Sequence, residues 1–444
     1  MGVIMQSFYW YCPRDEDREY KWWNFVREQV PSLAAAGFTS LWLPPIHKAA
    51  NLDGPSMGYD VYDYYDLGEF DQKGSIPTWF GTRAELLDLI REAHAHGLTL
   101  LADVIINHNA GGDEEEENPL THERRWTRFL PKSGRFPRDW ECFIPNRYET
   151  RDEMLFGEFP DLSHANPHVL AELLKLGRWL IEELGFDGFR YDFAKGYAAS
   201  TVAALQSQTY RRDGKPVLPF GVAEYWEPAP QILQWVEAVN GATANAVAAF
   251  DFPLRELLKA VCDQPQFSLR NIETWPTLLG SKPDNAVTFV ESHDLRDEGR
   301  PILNDKLLAY SFILTHEGFP SVYWKDYFNL GLALRNTPNG IDALVNAHEK
   351  YAGGRTEVLH LDEDLYIMQR PGEGDRPGLI YVLNNRARDW HGAWATTRWP
   401  NATFRPAAWW SRTELARPID QSTGRDGRGQ FFAPPRGFAV YVLK

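Results

Sequence analysis

The sequence has few cysteines and no long apolar run. Its 444 residues include three cysteines, Cys12, Cys142 and Cys262, which lack the paired spacing typical of a metal site. An odd number without a framework argues against structural disulfides, so we expect buried, inert thiols. No run approaches the roughly 20 apolar residues that a membrane-spanning helix needs, so we expect no membrane partner.

Positive charge is also scarce. Lysine and arginine total 46 against 61 acidic residues, which gives a formal net charge of -15. Such a chain repels phosphates, so we expect no nucleic-acid partner. An uncharged polymer is a more suitable partner for this negatively charged chain than a nucleic acid. Aromatic residues make up 14% of the chain, and their rings suit the flat apolar faces of sugars, although most should fill the core.

Eight short apolar runs alternate with longer stretches of helical periodicity. This alternation predicts parallel strands joined by crossover helices, and eight strands favour a closed (β/α)8 TIM barrel of the α/β class. The runs are residues 2–10, 39–46, 98–107, 188–193, 220–226, 246–252, 286–291 and 320–324. Helical patterns are clearest at 83–96, 167–184 and 306–315.

Two segments break this alternation. Residues 109–160 are polar and irregular, which predicts an inserted subdomain after the third strand, with the acidic run 113–117 as a solvated loop. After residue 351, short β-like runs between Gly, Pro and Asn clusters predict a C-terminal antiparallel β domain. The predicted domains are therefore a barrel of residues 1–108 and 161–351, an insertion of 109–160 and a β domain of 352–444.

Four predicted strands end in polar residues. They run into the segments DVIINH (103–108), GFRYDFAKG (188–196), GVAEYW (221–226) and FVESHD (289–294). A single acid at a strand end is commonly a helix cap. Together, however, the segments place Asp192, Glu224 and Asp294 at the carboxyl-end rim of the barrel, where converging carboxylates are costly unless chemistry uses them.

Paired carboxyl groups are the minimum for cleaving a glycosidic bond, one as acid and one in ionised form. Arg190 lies two residues before Asp192, on the same side of the strand, and would keep it ionised. Glu224 precedes Tyr225 and Trp226, and aromatic surroundings would raise its pKa, as suits an acid.

These four segments resemble the four signature regions of the α-amylase family (glycoside hydrolase family thirteen), in the family's order. Residues 159–162 (FPDL) resemble the additional region that closes the family's inserted domain. Residues 3–10 (VIMQSFYW), 56–60 (SMGYD) and 72–74 (QKG) resemble the branch that contains plant and archaeal α-amylases. The resemblance covers about residues 1–350.

The resemblance implies a role for each matching residue. Asp192 would be the nucleophile, Glu224 the general acid/base and Asp294 the third carboxylate, which distorts the bound sugar, while Arg190 would orient the nucleophile. The other implied substrate contacts are His108 and His293 by hydrogen bonds, Tyr59 by stacking, Lys195 on the leaving-group side, Asp103 and Trp226.

The family also implies a structural Ca²⁺ between the barrel and the insertion. The matching oxygen ligands are Asn107, Asp152, Asp161 and the carbonyls of Met154 and Gly196. Oxygen ligands drawn from separate loops suit calcium. The sequence departs from the family pattern at Glu291-Ser292, where an Asn commonly precedes the His-Asp pair, and this departure bears on the hydrogen bonds around Asp294.

The resemblance implies endo-acting, retaining hydrolysis of α-1,4-glucosidic bonds in starch, glycogen and maltooligosaccharides by a monomer. The same machinery serves α-glucan transglycosylases and glucose-disaccharide isomerases, and this alternative stays open. A non-enzymatic glucan-binding protein is disfavoured, because all three carboxylates are present. The N-terminus lacks a signal-peptide pattern, so the protein is either intracellular or a mature secreted form, which the family slightly favours. Trp409-Trp410 is either an auxiliary starch-binding surface or a core pair.

Overall fold

Eight parallel strands close into a barrel in the computed structural model, which describes residues 2–12, 21–51, 57–150, 159–297, 299–413 and 416–444. Each strand pairs with its neighbours in chain order, and the first pairs with the eighth. Barrel strands β1 to β8 are Ile4–Gln6, Ser40–Trp42, Thr99–Val104, Gly188–Tyr191, Phe220–Ala223, Val247–Phe250, Ala286–Phe289 and Phe319–Tyr323. Each overlaps one predicted run, so the predicted barrel is confirmed.

A helix follows each barrel strand and covers its outer face. Helices α1 to α8 are Trp22–Ala36, Arg83–Ala95, Pro167–Arg178, Ala199–Gln206, Ala229–Asn240, Phe252–Asp263, Lys306–Ile313 and Ile341–Tyr351. Local chemistry sets where they begin: Thr82 and Glu85 form a capping box at α2, and Asp251 caps α6. The predicted helix 167–184 consists of α3 followed by a π-helical turn, Trp179–Leu184.

Short helical segments lie between these elements. The α-helical ones are Asn271–Thr274, Leu278–Ser281 and His293–Asp297. The 3-10 turns are Trp140–Cys142, Ala194–Gly196 and Pro283–Asn285, and a π-helical turn spans Lys325–Asn329. His293–Asp297 matters most for the site, because it begins directly after the loop that leaves β7.

The segment between β3 and α3 contains an antiparallel pair of strands, Glu114–Glu117 and Arg124–Arg128. The prediction of a solvated loop for the acidic run was therefore wrong for residues 114–117. Arginines on the facing strand compensate the acids, with Glu115 and Arg124 3.2 Å apart. Two other small antiparallel pairs are Lys48–Ala49 with Val61–Asp63 and Tyr210–Arg212 with Lys215–Val217.

Antiparallel strands follow the barrel, which confirms the predicted C-terminal β structure. A six-stranded sheet contains, in spatial order, Glu357–Leu361, Leu365–Arg370, Leu379–Asn384, Gly437–Leu443, Thr403–Ser411 and Gln421–Ser422. A separate pair is His391–Thr396 with Arg428–Ala433. Along one strand, Tyr366 and Met368 pack into the barrel core, whereas Leu365 and Ile367 pack into a second core.

Several smaller expectations can be checked against this fold. All three cysteines are buried, as predicted. Trp409 is only 9% exposed in the second core, and Trp410 packs partly against the barrel core, so the two do not form an exposed pair. None of the helices in the described ranges is long and apolar enough to cross a membrane.

Candidate active site

One arginine joins three carboxylates at the mouth of the barrel. Arg190 lies on β4 and is buried. Its Nη1 lies 2.9 Å from Asp103 Oδ1 and 2.5 Å from Asp192 Oδ1, and its Nη2 lies 2.9 Å from Glu224 Oε2. Register explains the first contact, because Asp103 on β3 pairs directly with Arg190 on β4. The guanidinium thus fixes the acids of three strands relative to one another.

Opposing forces act on the charge of Asp192. Burial raises its pKa well above the ordinary value, the Arg190 guanidinium opposes that rise, and the nearby carboxylates of Glu224 and Asp103 add to it. Burial also raises the pKa of Asp103. The expectation that Arg190 simply keeps Asp192 ionised was therefore incomplete, because this guanidinium is shared. Asp192 and Asp103 share one cation, so these two acids do not titrate independently.

Glu224 follows β5, and polar groups hold its side chain. Its Oε2 accepts hydrogen bonds from Arg190 and, at 3.0 Å, from the backbone N–H of Phe193, a residue in the left-handed region at φ 41°. The predicted aromatic neighbours pack elsewhere: Tyr225 stacks on Trp235 of α5, at 5.3 Å between ring centroids. The Glu224 side chain is 13% exposed.

Asp294 lies at the start of the short helix His293–Asp297, which Ser292 caps by accepting the Leu295 N–H at 3.4 Å. His293 Nε2 lies 3.5 Å from Asp294 Oδ1, and its Nδ1 lies 2.9 Å from Gln6 Nε2. Burial lowers the pKa of His293 well below its ordinary value, and the positive charge of Arg190 lowers it further. The imidazole is therefore neutral at physiological pH.

Tyr59 stacks on the His293 ring, at 5.3 Å between centroids and 14° between planes. Its hydroxyl donates to Asp103 Oδ2 at 2.9 Å, and Trp42 Nε1 donates to the same oxygen at 3.1 Å. With both oxygens engaged and the side chain fully buried, Asp103 holds Arg190 and Tyr59 in place. Its predicted contact with substrate does not fit this position, because no face of the carboxylate is open.

A cavity at the barrel mouth brings together four of the predicted residues, Arg190, Glu224, His293 and Asp294. The other residues that line it are Gln6, Trp42, Phe250, Phe252, Phe289, Glu291, Ser292 and Ser321. Carboxylates in a cavity lined by aromatic and polar side chains form a suitable setting for acid/base chemistry.

Three other predicted residues are not among those that line the cavity. His108 is buried, its Nε2 lies 2.8 Å from the Tyr59 carbonyl oxygen, and burial lowers its pKa to about 4. Lys195 pairs with Glu227 at 3.2 Å and is a quarter exposed. Trp226 stacks on Phe252 at 4.8 Å and lines a neighbouring groove. Tyr59, Asp103 and Asp192 are likewise not among the lining residues.

The predicted calcium ligands within the described residues lie close together. Asn107 Nδ2 donates to Asp161 Oδ1 at 2.8 Å, while Asn107 Oδ1 is buried and has no hydrogen-bond partner among the residues that the structure describes. A Cβ on Gly196 would lie 2.1 Å from that oxygen, so only glycine allows the approach. Asp152 and Met154 lie outside the described residues. In the described ranges, neither this place nor any other has three or more His, Cys, Asp or Glu side chains arranged for a metal.

Sequence reasoning missed several groups at the site. Gln6 and Trp42 end β1 and β2 and contact His293 and Asp103, and the Tyr197 hydroxyl donates to the Asp192 carbonyl at 2.9 Å. A signal was available for the first two, because each is a hydrogen-bonding residue at the carboxyl end of an apolar run. Tyr197 carried no such signal.

The fold and the site define a class: a (β/α)8-barrel enzyme whose centre is built on carboxylates. Comparisons with known proteins identify the family within this class. The family model described as "Alpha amylase, catalytic domain" matches residues 22–256. The α-amylase of Geobacillus stearothermophilus is 31% identical, over 85% of this chain and 76% of that protein. The cytoplasmic α-amylase of Escherichia coli is 30% identical, over 86% and 88%. The probable α-amylase 2 of Arabidopsis thaliana is 26% identical, over 88% and 94%.

Solved structures share the fold. An α-amylase from Geobacillus thermoleovorans complexed with acarbose aligns with a TM-score of 0.67 at 18% identity, over all of this chain and 98% of that one. The cyclomaltodextrin glucanotransferase CldA aligns with a TM-score of 0.71 at 18% identity, over all of this chain and 99% of that one. The chain belongs to the α-amylase family of glycoside hydrolases, which confirms the resemblance noted in the sequence.

Proposed function

We propose that this protein is an endo-acting α-amylase that hydrolyses α-1,4-glucosidic bonds in starch, glycogen and maltooligosaccharides with retention of configuration. The observation that carries the proposal is the sharing of Arg190 between Asp192 and Glu224. Two carboxylates on the two terminal nitrogens of one guanidinium lie close together, as retaining glycosidases require. Relatives named α-amylase match most of the chain and support the substrate class.

In the first step, an oxygen of Asp192 forms a bond to the anomeric carbon as the glycosidic C–O bond breaks. Glu224 gives its proton to the departing oxygen. In the second step, Glu224 takes a proton from water, the water oxygen bonds to the anomeric carbon, and the bond to Asp192 breaks. Arg190 remains paired with Asp103 throughout, so the guanidinium keeps a counter-charge when Asp192 is esterified.

The remaining site residues position the sugar in this proposal. Asp294 accepts hydrogen bonds from sugar hydroxyls and favours a distorted ring, and Tyr59 presents an aromatic face to it. Neutral His293 donates a hydrogen bond through Nε2, since Gln6 Nε2 donates to its Nδ1. In this proposal His108, Lys195 and Trp226 contact substrate only at the margin of the cleft, because none of them is among the residues that line the cavity.

Product analysis on starch tests this proposal. An endo-acting hydrolase lowers viscosity faster than it releases reducing ends, and nuclear magnetic resonance of fresh products shows the α-anomer. Glu224→Gln and Asp192→Asn should each lose on the order of 10³-fold or more in kcat. Glu227→Gln is a matched control, because Glu227 pairs with Lys195 beside the cleft and should keep most activity.

Four outcomes would contradict the proposal: full activity in Glu224→Gln, β-anomeric products, an isomeric disaccharide, or products longer than the maltooligosaccharide supplied. The last would indicate a transglycosylase, and accumulation of an isomeric disaccharide would indicate an isomerase. We also propose that the chain works as a monomer, because it supplies the proposed nucleophile, acid/base and third carboxylate itself. Light scattering should then give about the chain mass of 50.9 kDa.

We further propose a structural Ca²⁺ held by Asn107, Asp161 and the Gly196 carbonyl, with Asp152 and the Met154 carbonyl. The buried Asn107 Oδ1 without a partner among the described residues and the close approach of Gly196 support this proposal. When bound, the ion supplies positive charge that joins oxygen ligands from separate loops.

Removal of Ca²⁺ with a chelator tests the proposed calcium site. Removal of Ca²⁺ should lower Tm, and added Ca²⁺ should restore it, whereas Mg²⁺ should not, because it demands tighter octahedral geometry. Gly196→Ala should abolish this Ca²⁺ effect, since the new methyl would occupy the space of Asn107 Oδ1. Gly214→Ala is the control, because a methyl there meets no atom within 4 Å, although its φ of 76° adds some strain. An unchanged Tm in chelator would argue against the ion.

A further inference from the structure

Glu291 lies two residues after β7 and three residues before Asp294, yet its carboxylate is fully buried and paired with two cations. Glu291 Oε2 lies 3.2 Å from Arg255 Nη2, and Oε1 lies 2.8 Å from Lys306 Nζ. Arg255 belongs to α6 and Lys306 to α7. An unpaired charge at this depth would be strongly destabilising, so the position demands partners, and two different helices supply them.

The same carboxylate also closes the loop that carries Asp294. Glu291 Oε1 accepts the Ile302 N–H at 2.7 Å, so one side chain ties both ends of the segment 291–302 together. Arg255 reinforces this closure by donating to the carbonyls of Val290, at 3.3 Å, and Arg300. The loop of residues 291–302 is therefore anchored to a buried ionic cluster, formed by Glu291, Arg255 and Lys306. His293 and Asp294 lie at the start of this loop.

Lys306 of this ionic cluster also makes contacts that do not reach the loop. Lys306 Nζ also lies 2.7 Å from Asp326 Oδ1, and the Tyr310 hydroxyl donates to Asp326 Oδ2 at 2.8 Å. Asp326 follows β8 and is buried like Glu291. Both acids balance Lys306, but only Glu291 also holds the backbone of the loop, so the two contributions can be separated by mutation.

We propose that Glu291 is a positioning residue for the reaction: by joining the Ile302 N–H to the cations of α6 and α7, it holds Asp294 where Asp294 contacts the sugar. This inference rests on the proposed function, because it assigns Asp294 a place in the transition state. Displacement of a supporting group by about 1 Å can cost on the order of 10²-fold in rate, which is the scale of effect to expect.

The experiment compares Glu291→Gln, Glu291→Asp and Asp326→Asn on a soluble maltooligosaccharide. Glu291→Gln has nearly the same shape but loses the charge that holds Lys306 and Arg255, and Glu291→Asp keeps the charge but not the reach. We expect kcat to fall roughly 10- to 100-fold in both, with KM changing less than about 3-fold, because an interaction made mainly in the transition state is lost. Asp326→Asn should keep kcat within about 2-fold of the wild type while lowering Tm.

Circular dichroism confirms that each variant is folded at the assay temperature. Equal loss of kcat in Asp326→Asn and the Glu291 variants would overturn the inference. Such a result would show that any disturbance of the ionic cluster lowers activity, whether or not it affects the contact with the loop. Wild-type kcat in both Glu291 variants would overturn it while leaving the proposed function intact. A wild-type protein without activity on α-glucans would instead refute the proposed function, and the inference with it.

Discussion

Arg190 is the residue on which the geometry of the cleft depends, because it contacts Asp103, Asp192 and Glu224 at once. A planar guanidinium presents several donors in a fixed fork, whereas an ammonium is a point charge. Neither its charge nor its position in the sequence indicated that it would be shared. The register of β3 and β4 and the return of β5 beside them produce the sharing.

Replacing Arg190 with lysine should therefore be costly although the charge is kept. A lysine cannot hold three carboxylates, so we expect kcat to fall on the order of 10²-fold or more, with a smaller change in KM. Arg212→Lys is the matched control, because Arg212 pairs with Asp187 just before β4, away from the cleft. Steady-state kinetics measure both variants, and near wild-type kcat in Arg190→Lys would contradict the assigned role.

The raised pKa of Asp192 predicts the acid side of the pH profile. Burial raises the pKa, and Arg190 only partly offsets the rise. Because Asp192 must be ionised to attack, kcat/KM should rise with pH through that raised value, so its acid limb should lie above the ordinary aspartate value of about 4. The measurement is kcat/KM across pH, and a limb at the ordinary value would contradict the prediction.

At the scale of secondary-structure elements, the ends of the barrel strands determine where the site lies. Asp103, Asp192 and Glu224 lie at or directly after strand ends, whereas Asp294 lies on the short helix after β7. The predicted runs located the strand ends well because parallel barrel strands are apolar on both faces. The insertion was harder, since Glu114–Glu117 becomes a strand only beside Arg124–Arg128. Local pattern cannot show which segment lies opposite. For the same reason, the domain boundaries at 108, 161 and 352 stay predictions.

Asp251, the N-cap of α6, should make the stability of the folded protein depend on pH. It joins β6 to α6 and accepts the N–H groups of Leu254 and Leu279, but burial dominates and raises its pKa to about 6. The folded state thus holds the proton more tightly than the unfolded chain, whose aspartate pKa is about 3.9. The stabilisation is fully present below that lower value and is lost as pH rises through about 6, a change of about 3 kcal/mol.

Asp251→Asn should remove this dependence, because an amide does not titrate. Urea unfolding of wild type and variant from about pH 4 to 7 measures the difference in their free energies of unfolding. We expect the wild type to lose stability relative to the variant as pH rises. Parallel stability curves for the two proteins would show that Asp251 does not titrate in this window.

At the scale of the whole molecule, the barrel and the C-terminal sheet share one hydrophobic core. Buried residues of both, including Met368 and Val440 of the sheet and Ile313 and Leu344 of the barrel helices, belong to a single cluster. A second, smaller core lies on the other face of the sheet. A shared core couples the two parts, because neither can unfold without exposing the other's apolar surface.

We therefore expect one cooperative unfolding transition by calorimetry, with equal calorimetric and van't Hoff enthalpies. Met368→Ala, on the barrel-facing side, should lower the midpoint of that single transition, by about 2–5 kcal/mol in stability. Ile367→Ala is the matched comparison, because Ile367 faces the second core from the neighbouring position. Two separate transitions in the wild type would refute this coupling.

The sequence by itself determined the barrel, the positions of the strand-end acids, the family and several helix starts. These rest on local periodicity, on capping chemistry and on motifs whose residues are neighbours in the chain. Tertiary structure alone decided that Asp103 supports Arg190 and that Glu291 pairs with cations of two helices. Burial and charge compensation depend on residues that are far apart in sequence, and only the closed barrel brings them within contact distance.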